Sequence, residues 1–184
     1  MEATLTAPAT TTWNIDAAHT HVEFAVKHMM ISTVKGRFAG VQGTVTTPSG
    51  DFADAAVDVT IDVASIDTRQ EQRDGHLRSA DFFDAENHPV IRFVSKRVEK
   101  DGDDYRIVGD LTIRGTTREV VLAASDEGRG TDPWGGERAG FSASTKVDRR
   151  DFGLTWNQAL ETGGILVGDQ VKISLEVELV KAAA

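Results

Sequence analysis

Residues 171–179 read Val-Lys-Ile-Ser-Leu-Glu-Val-Glu-Leu, an unbroken alternation of apolar and polar side chains. Successive side chains of a β-strand point to opposite faces, so the alternation predicts a strand with one buried and one solvated face. Such strands are typical of antiparallel sheets, because the strands of parallel sheets are apolar on both faces. The segment therefore predicts an antiparallel sheet that covers an apolar core on one side only.

The same pattern with a period of two residues recurs along most of the chain. It predicts seven further strands, at residues 21–28, 36–46, 56–65, 90–99, 105–114, 117–124 and 138–148. Turn-forming residues separate these strands at 48–51, 101–104 and 114–116, and a glycine-rich stretch predicts a longer loop over 125–137. Eight such strands can hide their apolar faces in a sandwich or in a closed barrel, and closure also removes the exposed edges.

One polar segment breaks the alternation. Asp67 followed three residues later by Gln70 resembles a capping box, so a short helix is expected near residues 68–78 despite Gly75. Asp74 and Arg78 are four residues apart and are expected to pair on one side of this helix. Residues 1–12, rich in Thr and Ala, are expected to form a flexible arm before a single domain over residues 13–182.

Composition excludes several classes of protein. The chain has 184 residues and a formal net charge of −9, so it lacks the basic footprint of a nucleic-acid-binding protein. It has no cysteine, which excludes disulfides and thiolate metal sites. No apolar run reaches the roughly 20 residues of an integral membrane segment. The N-terminus lacks the features of a signal peptide, so a cytoplasmic location is expected.

No catalytic or metal-binding motif stands out. The sequence has no Gly-x-Ser-x-Gly elbow, and the stretch from Gly128 to Gly136 lacks the Lys-Ser/Thr ending of a phosphate-binding loop. His19 and His21 share a face by parity but are interpreted as rim residues rather than metal ligands. His28 falls on the same face as Val22 and is expected to point inward. No catalytic residue, metal site or cofactor is predicted.

Five stretches in series resemble the YceI-like family of polyisoprenoid-binding, lipocalin-like proteins. They are residues 13–24, which read WNIDAAHTHVEF, with His28; residues 66–68 with 73–84; residues 88–93; residues 109–117; and residues 148–153, which read DRRDFG. Thr20 and His88 stand where Ser and Tyr are more usual in the family. The resemblance implies an all-β fold, an eight-stranded antiparallel lipocalin-like barrel with one short helix over one end. It further implies an elongated apolar tunnel.

The partner that the resemblance implies is a polyisoprenoid, an isoprenoid quinone or another long-chain lipid, held noncovalently for storage or transport, and a homodimer stays open. Strand parity together with the resemblance gives twelve expected ligand contacts: Phe24, Val26, His28, Phe38, Val59, Ile61, Phe83, Phe93, Leu111, Phe141, Ala143 and Ile173. Two alternatives remain from the residues alone. One is a filled barrel that serves as a structural or protein-interaction module, and the other is an enzyme that acts on a lipid-like substrate.

Overall fold

The computed structural model describes residues 9–184 as one antiparallel sheet with a single α-helix among them. The helix is α1 (Glu71–Arg78). The strands are β1 (Thr11–Ile15), β2 (His21–His28), β3 (Ser32–Phe38), β4 (Val41–Thr47), β5 (Ala56–Asp62), β6 (Ile66–Asp67), β7 (Val90–Asp101), β8 (Asp104–Ile113), β9 (Thr116–Thr131), β10 (Glu137–Asp148) and β11 (Val167–Lys181).

The sheet closes into the expected eight-stranded barrel. Neighbouring strands follow the order β1-β4-β5-β7-β8-β9-β10-β11, and β11 pairs in turn with β1. The first half of β11 pairs instead with β2, which pairs with β3. Strands β1 and β2 are therefore two halves of one bent strand, and β3 and β4 are two halves of the next. Bending lets one chain segment follow the curved wall without leaving an open edge.

Several predicted boundaries are wrong because the period-two pattern does not register bends. The strand predicted at 36–46 is broken at Ala39 and Gly40, which separate β3 from β4. The strand predicted at 56–65 ends at Asp62, whose carboxylate accepts a hydrogen bond from the Ala64 amide and starts a 3₁₀ turn. The loop predicted at 125–137 is mostly strand, because β9 continues to Thr131 and pairs with β10.

The N-terminal boundary is also shifted. Thr11 and Thr12 already belong to β1, where they pair with Thr47 and Thr46 of β4. The predicted arm over residues 1–12 thus ends before Thr11. Residues 1–8 of that arm lie outside the described residues.

The helix begins at Glu71, three residues later than predicted, because the side chains before it are committed to other bonds. Gln70 is the N-cap and accepts a hydrogen bond from the Arg73 amide. The expected pair of Asp74 with Arg78 is not formed. Asp74 is buried and accepts hydrogen bonds from the amide and the hydroxyl of Thr68, whereas Arg78 pairs with Glu71.

The barrel has two distinct ends. The helix end carries α1, the 3₁₀ turn Arg149–Phe152 and the β2–β3 turn, and the turn end carries the β4–β5, β7–β8 and β9–β10 turns. Each end has its own group of buried apolar residues, with Phe152 at the helix end and Trp13 at the turn end. Among residues 9–184, no helix has the length and apolar character needed to cross a membrane.

Candidate functional site

A cavity of about 270 Å³ occupies the barrel between the two groups of buried residues. Its wall is almost entirely apolar, from Val22 and Leu77 near the helix end to Phe52 and Leu179 near the turn end. Polar side chains contribute little to the wall, and the largest exception is Arg149. The volume lies near the lower limit of about 300 Å³ for small-molecule pockets, so the cavity suits a slender apolar chain.

The structure places eleven of the twelve expected contact residues in the wall of this cavity. They come from seven strands and from the segment after α1: Phe24, Val26, Phe38, Val59, Ile61, Phe83, Phe93, Leu111, Phe141, Ala143 and Ile173. Strand parity brings the ten residues of the strands together because alternate residues of every strand face the same interior. Their role as ligand contacts stays a prediction.

His28 is the exception and is not part of the cavity wall. It is the last residue of β2, where it pairs with Ser32 of β3 and with Val167 of β11. Parity gave the face of the strand but not the depth of the cavity, which ends at Val26 on this strand. A head-group contact from His28 inside the cavity is therefore not supported.

Two glycines hold aromatic rings against the barrel wall. Gly36 is the register partner of Phe24, and a Cβ atom added at Gly36 would lie 2.3 Å from Cζ of that ring. A Cβ atom added at Gly109 would lie 2.5 Å from Cζ of Phe93. The rings therefore lie over bare backbone rather than across the barrel axis. This arrangement leaves space along the barrel axis. Larger side chains at positions 36 and 109 would push the rings into that space.

The helix end of the cavity is lined by side chains that strand parity could not identify. Leu77 of α1, Phe82, Phe152 and Leu154 all line the cavity, but they lie in the helix, in turns and in a loop. Outside them, the His76 ring packs edge-on against Trp156, with centroids 4.7 Å apart. The sequence feature that could have identified these four residues is the concentration of apolar residues in connecting segments that are otherwise polar.

Arg149 binds the loop after Phe152 to strand β11 of the barrel. Its guanidinium donates hydrogen bonds to the carbonyl oxygens of Leu154 (2.6 Å), Trp156 (2.9 Å) and Gly168 (2.9 Å). Burial lowers the pKa of Arg149 from its ordinary value, and Asp169 at 3.7 Å partly opposes this effect. The guanidinium remains charged because its ordinary pKa is so high. Because the N–H groups of Arg149 bind backbone carbonyl oxygens, the role of this side chain is to position the loop after Phe152.

The turn end is lined by a cluster of tilted aromatic rings. Phe52 lies between the cavity and an outer pocket of about 840 Å³ and lines both. Its ring centroid is 4.8 Å from that of Phe141 and 5.4 Å from that of Trp13. The guanidinium of Arg129 covers the outer side, 4.5 Å from the Phe52 centroid, and is fixed by Asp126. Among the described residues, Phe52 is the side chain that borders both the cavity and the outer pocket.

An ion-pair cluster ties together the strands near the β1–β2 bend. The Oδ2 atom of Asp16 lies 2.9 Å from Nδ1 of His19 and 2.7 Å from Nη1 of Arg138, which also binds Glu178. The hydrogen bonds from His19 and Arg138 lower the pKa of Asp16 to about 2. The pKa of His19 is raised by the same carboxylate. Asp16, His19 and Glu178 are close enough to bind a cation, but Arg138 already neutralises both carboxylates.

Comparison with known proteins places this barrel in a family. The model of the YceI-like domain matches residues 13–179. The protein YceI of Escherichia coli O17:K52:H18 is 44% identical over 139 residues, which cover 76% of this chain and 73% of that protein. The crystal structure of Burkholderia cenocepacia BcnA superposes with a TM-score of 0.77 at 25% identity, covering 89% of this chain and 98% of that one.

A third protein has the same fold at low sequence identity. A structure described as a polyisoprenoid binding domain from Saccharophagus degradans has a TM-score of 0.67 at 14% identity, covering 92% of this chain and 98% of that one. At this identity the likeness is one of fold. The family match over nearly the whole barrel, together with the identity to YceI, is decisive. The chain belongs to the family of YceI-like domains.

Proposed function

We propose that this protein binds a long-chain isoprenoid, an isoprenoid quinone or a similar amphiphilic lipid in the barrel cavity, for storage or transport. The observation that carries the proposal is the cavity of about 270 Å³ inside the barrel with an almost wholly apolar wall. A polar metabolite would lose its hydrogen bonds to water there without replacement. The name of the Saccharophagus degradans domain supports an isoprenoid ligand.

The binding energy comes from burial of the ligand chain. Each buried methylene contributes roughly 0.8 kcal/mol, so a five-carbon isoprene unit contributes roughly 4 kcal/mol before the cost of ordering the chain. Noncovalent affinity levels off near roughly 20 kcal/mol, a value reached after about five such units. Selectivity then depends on how much chain the cavity accommodates rather than on hydrogen bonds. This explains why an apolar wall is sufficient.

The cavity distinguishes this proposal from the two alternatives. A filled barrel that serves only as an interaction module would have no reason to keep apolar space along its axis. For an enzyme, the wall would need a nucleophile or a general base next to the bound chain. Within residues 9–184 the wall contains no histidine, serine, lysine or aspartate, and its polar residues are Thr20, Glu23, Tyr105, Thr145 and Arg149. Glu23 has an exposed side chain on the outward face of β2, and Arg149 donates to backbone carbonyls, so neither is arranged with a hydroxyl as a nucleophile and base. Binding of a lipid without its chemical conversion therefore agrees best with the composition of the cavity wall. The proposed location of the protein is the cytoplasm.

The experiment places a large side chain in the middle of the cavity. Val59 of β5 lines the cavity beside Phe93, its register partner on β7. Val59→Trp should leave the barrel folded and reduce the amount of lipid that copurifies, measured by organic extraction and mass analysis. Val121→Trp is the matched control, because Val121 faces outward and is 37% exposed while its neighbours Val120 and Leu122 line the cavity. Equal lipid content in the two variants would overturn the proposal.

A further inference from the structure

Four lysines form a cationic face on the outside of the barrel, although they are up to 145 residues apart in sequence. Lys146 of β10 and Lys172 of β11 are direct register partners. Lys172 pairs with Ala25 of β2, and Ala25 pairs with Lys35 of β3. Register partners point to the same side of a sheet, so these residues form one row across four strands. At about 4.8 Å between strands the row spans roughly 15 Å.

The row faces solvent. The residues next to it in sequence, Thr145, Val171 and Ile173, line the cavity, so the lysines point to the opposite side of the wall. All three lysines of the row are exposed. Lys27 is exposed as well and lies two residues after Ala25, on the same side. We name Lys27, Lys35, Lys146 and Lys172 the lysine face.

The lysine face carries uncompensated charge in a protein whose net charge is −9. Lys96 and Lys181 on other parts of the barrel each have a carboxylate oxygen within about 3 Å. Among residues 9–184, no carboxylate lies within 4.0 Å of any lysine of the face. Acids also lie on this side of the sheet: Asp148 binds Arg150 and Glu178 binds Arg138, whereas Arg37, the register partner of Glu23, binds Asp67. Glu23 and Glu176 share the outward parity of the lysines but lie more than 4.0 Å from them.

An exposed apolar tip lies beside the lysine face. The turn between β2 and β3 consists of Met29, Met30 and Ile31, which are 38%, 62% and 80% exposed. Met29 and Met30 both have positive φ, at 52° and 61°, a conformation for which glycine and asparagine are the favoured residues. The Met29 amide donates a hydrogen bond to the Leu166 carbonyl at 2.8 Å, which anchors the turn. The turn therefore holds three large apolar side chains out into solvent.

The tip is close to the end of the cavity. On β2 the cavity wall ends at Val26, three residues before Met29, and on β11 it begins at Val167, the register partner of His28. The lysines lie on the outer surface of these same strands and their neighbours. One side of the helix end thus combines apolar side chains, positive charge and proximity to the cavity.

We propose that this side of the helix end docks the protein on an anionic membrane surface, with the Met29–Ile31 turn in the interface and the lysine face against acidic head groups. Exposed apolar side chains bordered by cations are what a peripheral membrane contact requires. Charge complementarity favours this occupant, because the lysines attract an anionic surface while the rest of the acidic protein is repelled from it. The docked orientation brings the end of the cavity toward the lipid. The proposal goes beyond the binding of a lipid inside the cavity.

The test is flotation of the purified protein with vesicles of phosphatidylcholine alone or with about one third phosphatidylglycerol. The wild-type protein should float with the anionic vesicles only, and raising NaCl from about 0.1 M to about 1 M should release it. Lys35→Gln/Lys172→Gln should reduce the apparent affinity on the order of tenfold, since two of the four cations are lost. Met30→Ser/Ile31→Ser should reduce it by a similar factor at unchanged net charge.

Two control variants lie at the turn end. Lys100→Gln/Lys181→Gln removes the same amount of charge, and Trp134→Ser removes a side chain that is 87% exposed. Both controls should bind like the wild-type protein. Absence of binding to anionic vesicles, or equal loss in the controls, would overturn the proposal. So would a dimer in light scattering that Met30→Ser/Ile31→Ser dissociates, because the turn would then contact a second copy of the chain.

Discussion

The glycine at position 36 is predicted to keep the cavity open, and Gly36→Ala tests this directly. In the structure the added Cβ atom would lie 2.3 Å from Cζ of Phe24, 2.7 Å from Cε1 of the same ring and 2.9 Å from Cγ2 of Thr68. Carbon atoms in contact are about 3.5 to 4.0 Å apart, so the ring must move by at least about 1.2 Å. The obstructing atoms all belong to side chains, and Phe24 lines the cavity. We expect its ring to swing into the cavity.

The energetic effect follows from two opposing contributions. Overpacking of this kind costs about 1–3 kcal/mol, whereas replacing a strand glycine by alanine recovers about 0.4–1 kcal/mol through the unfolded state. The expected net loss is about 1–2 kcal/mol in the free energy of unfolding, measured by urea denaturation. The bound lipid per protein, measured by extraction and mass analysis, should fall at the same time.

Gly130→Ala is the matched control for this prediction. Gly130 also lies in a strand, its φ is not positive, and an added Cβ atom would meet nothing within 4 Å. The control should keep its lipid and be as stable as the wild-type protein or slightly more stable. If Gly36→Ala matches Gly130→Ala in both stability and lipid content, the account of the rings held against the wall is wrong.

Three further predictions concern the two ends of the barrel and the Asp16 cluster. Phe52→Ala should cost about 3–5 kcal/mol of stability and speed the release of bound lipid to acceptor vesicles, because it removes the only side chain that lines both the cavity and the outer pocket in the described part of the chain; an unchanged release rate would contradict this. Arg149→Met should cost about 3–5 kcal/mol in thermal unfolding, because three carbonyl oxygens lose their donor; a loss below about 1 kcal/mol would argue against it. Asp16 has a pKa lowered to about 2 from 3.8, so its stabilisation is complete above about pH 4 and disappears as the pH falls through 2. The difference in urea stability between the wild-type protein and Asp16→Asn should therefore shrink between these pH values, and a constant difference would refute the assignment.

The sequence predicts the strands well where the alternation is unbroken. The bounds of β2 agree with the prediction at both ends, and the hairpin at Arg114 and Gly115 forms with positive φ at both residues. Bends are not predicted, because a strand can turn at Ala39 and Gly40 while its apolar side chains continue to face inward. The interior face is thus more predictable than the strand ends.

The residues of the candidate site also fall into a predictable and an unpredictable group. Residues such as Val59 and Phe93 could be assigned to the cavity wall because parity alone determines their side of the sheet. Phe52 and Phe152 could not, because they lie in 3₁₀ turns that have no period of two. Strand parity also carries no information on depth in the barrel, so it assigns His28 to the wall although the cavity ends at Val26 on this strand. The lysine face depends on strand register, which no local pattern contains.

The central claim is that the barrel cavity holds a long apolar chain, and native mass spectrometry of the purified, never delipidated protein tests it most directly. The account predicts a population heavier than the polypeptide by the mass of one long-chain lipid. That adduct should be released intact on activation and should be strongly depleted in Val59→Trp but not in Val121→Trp. A single species at the polypeptide mass, together with no rise in melting temperature when isoprenoid quinones are added, would contradict the claim.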